Sequence, residues 1–232
     1  TKADIVRFHE MVYDEVSAPT ANRTLSLLGS IFSRAFDLEL IDKNPVAGVR
    51  KFYEGEGRDR FLDDEELTRF LLDLNTMLDK PQAQAIYLLI SLALRKSEIV
   101  GLQWSRINLQ EHHLYIPRPK NKRPRYVSIN PTAHALLSKM YKKRQRGTDW
   151  VFPSNSQVGH LLEVRRTFST SLKKAEITEF RLHDLRRTAA SHMINSGASL
   201  QEVKEVLGHS DLRSTQIYAR LATNTLAKTS DI

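Results

Sequence analysis

The sequence predicts a mainly α-helical chain with one small antiparallel β-sheet, an α+β fold. Three observations carry this. Apolar residues recur at helical spacing along most of the 232 residues, the period shifts toward alternation only near His113 to Ile129, and glycine, proline or Asp/Asn signals separate the periodic stretches.

Two helices are expected before residue 52. Ile5 to Val16 forms the first. In the second, Thr20 is the expected N-cap, Leu25, Leu28, Ile31, Phe32, Ala35 and Phe36 form the apolar stripe, and the end falls near Leu40, ahead of Asp42-Lys43-Asn44-Pro45. Two helices make an incomplete domain, and the polar, glycine-containing Tyr53 to Arg60 reads as a linker. The expected division is therefore 1–52, a partial helical domain, 53–60, a linker, and 61–232, the main domain. Asp63 and Glu66 have capping-box spacing before Leu67, Phe70, Leu71 and Leu74. After Pro81, the apolar run Ala85 to Leu94 is expected to be a buried helix ending at Arg95, and a short helix carries Ser97 to Trp104. His113 to Pro117 and Tyr126 to Ile129 are the expected strands, around the basic, turn-prone Arg118 to Arg125. Helices follow at Thr132 to Arg144, Leu161 to Lys174, Leu182 to Ser196, Leu200 to Leu207 and Asp211 to Ala222, with Gly197 and Gly208 where C-terminal caps are wanted. Trp104 and Trp150 are expected in the core.

Composition narrows the function. No apolar run approaches the roughly 18 residues that a membrane helix needs, and Thr1 to Asp4 lacks the basic-then-apolar pattern of a signal peptide. Without an initiator Met, the chain reads as a fragment of a longer protein. The absence of cysteine excludes disulfides, thiolate metal sites and cysteine nucleophiles, and a cytosolic setting fits. The formal net charge is +8 and the pI about 9.7. Residues 1–52 hold seven basic and seven acidic residues, so the rest carries all of the charge, and Arg118 to Arg146 contains ten Lys/Arg and no acid. Such a surface favours a polyanionic partner, because lysine and arginine release counterions condensed on nucleic-acid phosphates.

The residues that carry chemistry are scattered. Arg95 sits at a core boundary, where a guanidinium needs an anionic partner, and Glu98 follows three residues later. His183 and Arg186, three apart, share a helix face beside the apolar stripe of Leu182, Leu185, Ala189 and Met193. Leu207-Gly208-His209 comes next, and Tyr218 lies nine residues beyond His209 on a further expected helix. Taken singly, these are a capping histidine, surface arginines and a packing tyrosine.

Together they resemble the tyrosine recombinase, or phage integrase, family. The likeness runs from about Arg60 to the C-terminus: Arg-x-x-Glu at Arg95 and Glu98, Gly101-Leu102-Gln103-Trp104, Lys120 in Pro119-Lys120-Asn121-Lys122, His-x-x-Arg at His183 and Arg186, Leu-Gly-His at His209, and Gln216-Ile217-Tyr218. Ala21 to Leu25 and Asn44-Pro45 resemble the latter half of the family's helical core-binding domain. One departure stands out: Ser91-Leu92-Ala93-Leu94 replaces the Thr-Gly usual before the first arginine.

The resemblance implies a site-specific recombinase or integrase that cuts and rejoins DNA through a 3′-phosphotyrosine, with integration or excision of a mobile element the favoured setting. Tyr218 is then the nucleophile, and Arg95 and Arg186 clamp the scissile phosphate with planar guanidinium forks. Lys120 is the acid for the leaving 5′ oxygen, ahead of its neighbours Lys122 and Arg123. His183 assists proton transfer from the tyrosine and His209 hydrogen-bonds the phosphate. Glu98 orients an arginine, and Lys122, Arg123, Arg125 and Arg187 are candidate DNA contacts. No metal or other cofactor is implied, and His160, His183 and His209 fit no common zinc spacing. Double-stranded recombination sites, a homotetramer on DNA that is monomeric when free, and accessory DNA-bending or directionality proteins are the implied partners, in a bacterial, nucleoid-associated setting. Two other functions compete: a non-catalytic helix-turn-helix module built from Leu182 to Leu207, and type IB topoisomerase-like strand relaxation.

Overall fold

The computed structural model describes residues 1–55, 60–117 and 124–208. Its chain divides into two compact units, Thr1–Arg58 and Asp59–Ile232.

In the first unit, α1 (Lys2–Glu15) packs on α2 (Ala18–Asp37) through a small core of Ile5, Ala21 and Leu25. The second helix starts earlier than expected, capped at Ser17 in place of Thr20. Pro19 lies in the first turn, where its missing N–H costs no helical bond, and the Thr20 hydroxyl instead accepts a bond from the Ser17 hydroxyl at 3.0 Å. The end also comes early. Glu39 adopts a left-handed φ of 56°, and the Glu39 and Leu40 N–H groups bond back to the carbonyls of Phe36 and Ala35. This is a Schellman closure without its usual glycine, which is why the sequence placed the end three residues later. Buried Asn22 fastens the following segment: its side chain accepts from the Phe52 N–H at 2.9 Å and donates to the Phe52 carbonyl at 2.8 Å.

The second unit is built around α4 (Pro81–Leu92), whose apolar residues from Ala83 onward are almost all buried. Helix α4 packs against α3 (Asp64–Asn75), α6 (Pro131–Lys142), α7 (Arg165–Lys174) and α8 (Asp184–Asn195). The expected capping box opens α3: the Glu66 N–H donates to Asp63 Oδ1 at 2.8 Å, and the Asp63 N–H donates to Glu66 Oε2 at 3.3 Å. The buried helix stops at Leu92 and not at Arg95, because Ala93 takes a left-handed conformation, φ 50° and ψ 29°. Arg95 becomes the N-cap residue of α5 (Lys96–Val100). The expected helix from Ser97 to Trp104 is thus cut short. Gly101 ends it, and residues 102–104 pair with 149–151 instead, the Val151 N–H donating to the Leu102 carbonyl at 2.9 Å and the Trp104 N–H to the Asp149 carbonyl at 2.8 Å. A separate 3₁₀ turn covers Trp104–Arg106.

The sheet is antiparallel, in the order β1 (Ile107–Asn108), β2 (His113–Ile116), β3 (Arg125–Ser128). β2 and β3 match the expected strands to within one residue, whereas the two-residue β1 is too short to leave an alternating pattern. Leu114 pairs with Val127, both inward, and Ile116 pairs with Arg125. Alternation therefore puts Arg125 on the same face as buried Val127.

Helix α7 begins at Arg165, four residues later than expected. Leu161 is held by a bond to the Phe152 carbonyl, and Glu163 Oε1 accepts from the Val164 and Arg165 N–H groups at 2.9 Å each. Helix α8 is followed by a Schellman turn at Gly197, with φ 94°, then by α9 (Leu200–Leu207), which ends at Gly208 with φ 59°. Trp104 is buried as expected, but Trp150 is only partly so, lying beside Gly159 and the His160 ring. The helix expected at Asp211 to Ala222 lies outside the described residues. Among the described residues, no helix is long and apolar enough to cross a membrane.

Candidate active site

The site grows from the left-handed turn at Ala93. That turn directs Leu94 into the core and delivers Arg95 to the start of α5, with about a fifth of its side chain exposed. An arginine cannot accept a hydrogen bond, so it caps nothing with its own side chain. Glu98, the third residue of α5, compensates. Its Oε2 accepts the Arg95 backbone N–H at 3.0 Å and its Oε1 accepts Arg95 Nη1 at 3.1 Å.

Glu98 also binds a second arginine. Arg125 reaches it from β3 with both terminal nitrogens, Nη1 to Oε1 and Nη2 to Oε2, each at 3.0 Å. The carboxylate therefore receives four bonds while its side chain is only 6% exposed. Burial, the strongest single influence, pushes its pKa up. The bonds from Arg125 and the Arg95 N–H, with both guanidinium charges, outweigh it and hold the group below the usual glutamate value. Glu98 is thus a buried anion that links two cations, not a surface ion pair.

Arg186 is 3% exposed and crosses the domain core. Its Nη1 donates to the Ala93 carbonyl at 2.7 Å and its Nη2 to the Leu207 carbonyl. It ties the end of α4 to the end of α9, two residues from Arg95 on one side and two from His209 on the other. His183 is the residue before α8, with helical dihedral angles, one turn ahead of Arg186; of the pair expected on one helix face, His183 is exposed and Arg186 buried. Its ring keeps an exposed edge, yet partial desolvation lowers its pKa, helped by the charges of Arg186 and Arg187, opposed by Asp184, and helped again by Arg95. These surroundings favour its neutral imidazole, the form able to accept a proton.

The structure thus brings together Arg95, Glu98, His183 and Arg186. It places two candidate DNA contacts differently from a simple exposed surface. Arg125 faces inward with both terminal nitrogens engaged by Glu98, and Arg187 is partly buried, with Nη1 shielded from solvent and unpartnered among the described residues. Lys120, Lys122, Arg123, His209 and Tyr218 lie outside the described residues. Sequence reasoning missed the Ala93 and Leu207 carbonyls and the Arg125 partnership. The departure from Thr-Gly before Arg95 was a signal for the first, since Ala93 holds a backbone conformation that favours glycine. Among the described residues, no cluster of three or more His, Cys, Asp or Glu could hold a metal ion.

This architecture, helices around one buried helix with a three-stranded antiparallel sheet, is the fold of the site-specific recombinases. A structure of XerH recombinase bound to palindromic difH substrate, a post-cleavage complex, superimposes with a TM-score of 0.80 at 19% identity, covering 100% of this chain and 72% of that one. The Tn1549 transposon integrase (aa 82–397), in complex with circular intermediate DNA, gives 0.73 at 18% identity, covering 94% and 80%. Residues 60–225 match the phage integrase family, and tyrosine recombinase XerC of Bacillus pumilus (strain SAFR-032) is 31% identical over 224 residues, 90% of this chain and 73% of that protein. Tyrosine recombinase XerD of Brucella suis biovar 1 (strain 1330) is 34% identical over 151 residues, 60% of this chain and 48% of its own. The chain belongs to the phage integrase family and is a site-specific recombinase of the tyrosine class.

Proposed function

We propose that this recombinase cleaves and rejoins double-stranded DNA at a recombination site through a 3′-phosphotyrosine at Tyr218. The observation that carries the reading is the clustering of Arg95, Glu98, His183 and Arg186 around the Ala93 turn. Tyr218 Oη attacks the scissile phosphorus and passes its proton to His183. The bond to the 5′ oxygen breaks, and Lys120 gives that oxygen its proton. Arg95 and Arg186 hold the non-bridging oxygens as charge builds on them, and His209 donates a further hydrogen bond. Lys122 and Arg123 hold the DNA backbone. The phosphotyrosine keeps the energy of the broken linkage, so a 5′ hydroxyl from another strand reseals it with no cofactor. Residues 1–52 act as part of a core-binding domain, 53–60 as its linker and 61–232 as the catalytic domain.

The assembly on DNA is a homotetramer, monomeric when free, aided by DNA-bending or directionality proteins and working on the bacterial nucleoid. Integration or excision of a mobile element is the favoured role, supported by the core-binding resemblance of residues 21–45. The XerC likeness over 90% of the chain favours a second reading, chromosome maintenance.

The test is a nicked suicide substrate carrying the recombination site. Wild type should accumulate a covalent adduct and Tyr218→Phe none. Binding of the site without any wild-type adduct would establish the non-catalytic module instead, and relaxation of supercoils without strand exchange would establish the topoisomerase-like activity.

A further inference from the structure

We infer that Arg125 is a positioning residue for strand cleavage: it fixes the Glu98 carboxylate that presents Arg95, and makes no DNA contact itself. This rests on the phosphotyrosine reading above, since it assigns Arg125 a part in the same step.

Three observations carry it. First, the guanidinium of Arg125 meets Glu98 in a two-pronged pair, both bonds 3.0 Å, with only 12% of the side chain exposed. A fork bound this way has one orientation and leaves no terminal face for a phosphate. Second, the remaining donor of that fork, Nε, is buried and unpartnered among the described residues, and it lies against Gly208. A Cβ at 208 would stand 2.6 Å from Nε and 2.8 Å from Cδ and Cζ. The side chain cannot swing aside to relieve such a clash without releasing Glu98, so glycine at 208 is required for space as well as for its positive φ. Third, Arg95 makes one side-chain bond to Glu98 and none to any other described residue, so the direction of its guanidinium depends on that carboxylate.

These contacts close a ring. Arg125 holds Glu98, Glu98 holds Arg95, the Ala93 carbonyl two residues earlier accepts Arg186, and Arg186 reaches the Leu207 carbonyl beside Gly208. Arg125 closes it between β3 and the end of α9. If Arg125 is removed, Glu98 keeps its bonds to Arg95 but loses the two that set its plane, and Arg95 gains freedom at the moment it must meet a phosphate oxygen.

The experiment compares wild type, Arg125→Ala and Arg125→Lys in single-turnover cleavage of the nicked substrate, with DNA affinity measured over a range of salt. Arg125→Ala should cleave about 10–100-fold more slowly with affinity and salt dependence unchanged. Arg125→Lys, which keeps the charge but not the fork, should recover part of the rate. On a substrate whose scissile phosphate is a methylphosphonate, one anionic oxygen is gone and less is asked of Arg95, so the gap between wild type and Arg125→Ala should narrow. A merely structural defect would leave that gap the same size, and so overturn the inference. A fall in affinity with a salt slope lowered by about one would make Arg125 a DNA contact. If Arg125→Ala does not fold by thermal melting, the same comparisons are read on Arg125→Lys. Failure of wild type to form any adduct would sink the phosphotyrosine reading itself; normal cleavage by Arg125→Ala would sink only the role of Arg125.

Discussion

Two helix starts in this protein share one plan and differ at a single position. At α3, Glu66 is the third helical residue, accepts the N–H of the capping residue Asp63, and receives the fork of Arg60 at 2.6 and 2.7 Å. At α5, Glu98 is the third helical residue, accepts the N–H of Arg95, and receives the fork of Arg125. The difference is the capping residue itself. Asp63 accepts the Glu66 N–H and completes a closed box, whereas Arg95 puts a cation at the helix end that prefers an anion. The first arrangement is a finished structural cap. The second spends a carboxylate to keep a guanidinium where it is least favoured by its own helix.

The sharpest way to break the comparison is to remove each carboxylate. Glu98→Gln leaves two arginines around a neutral amide in a buried site, and should cost about 3–5 kcal/mol of stability and about a hundredfold in cleavage. Glu66→Gln, in a more exposed setting, should cost about 1 kcal/mol and leave cleavage of the nicked substrate unchanged. Chemical denaturation and single-turnover rates check both, and equal losses of cleavage would mean that the two starts do not differ in function.

The turn that precedes Arg95 gives a smaller effect. Ala93 is fully buried at φ 50°, a conformation that costs an L-residue about 1–2 kcal/mol and glycine nothing. Against glycine's greater loss of backbone entropy, Ala93→Gly should raise stability by about 0.5–1 kcal/mol, read as a higher denaturant midpoint at an unchanged slope. A lower midpoint would show that the methyl group's packing outweighs the strain.

The smallest effect concerns pH. Because the folded pKa of His183 is lowered, the unfolded chain takes up that proton first as pH falls. The stability tied to neutral His183 is therefore present above about 6.5 and lost as pH drops through the folded value. In the DNA-free protein, this loss of stability, followed by chemical denaturation across pH, should have its midpoint below about 6.5 and should be missing from His183→Gln. A midpoint at or above about 6.5 would show that the surroundings of His183 do not favour its neutral form.

Local chemistry was legible in the sequence wherever it repeats over short distances. The run from Ala85 carried the buried helix, Asp63 and Glu66 carried the box, and Gly197 and Gly208 carried two helix ends. Where an ordinary residue takes a left-handed turn, at Glu39 and Ala93, no letter marks the change, and both helix ends were misplaced. The candidate site divides the same way. Arg95 with Glu98, and His183 with Arg186, stand three residues apart and are readable as pairs. The partnership of Glu98 with Arg125 spans 27 residues and depends on which face of β3 turns inward, so Arg125 read as one more member of a basic run. Arg186 shows the same limit, since backbone carbonyls are identical at every position and only folding selects Ala93 and Leu207.

That long-range bond also sets a timetable. Arg186 joins its own helix to a carbonyl 93 residues earlier in the chain and to another 21 residues later. Loops of that length close late, after local helices have formed. A chain emerging from the ribosome makes α4 and its left-handed turn long before either the arginine or its second anchor exists. The cluster of Arg95, Glu98, His183 and Arg186 is therefore completed only once α9 is in place, and a partly made chain does not carry it assembled.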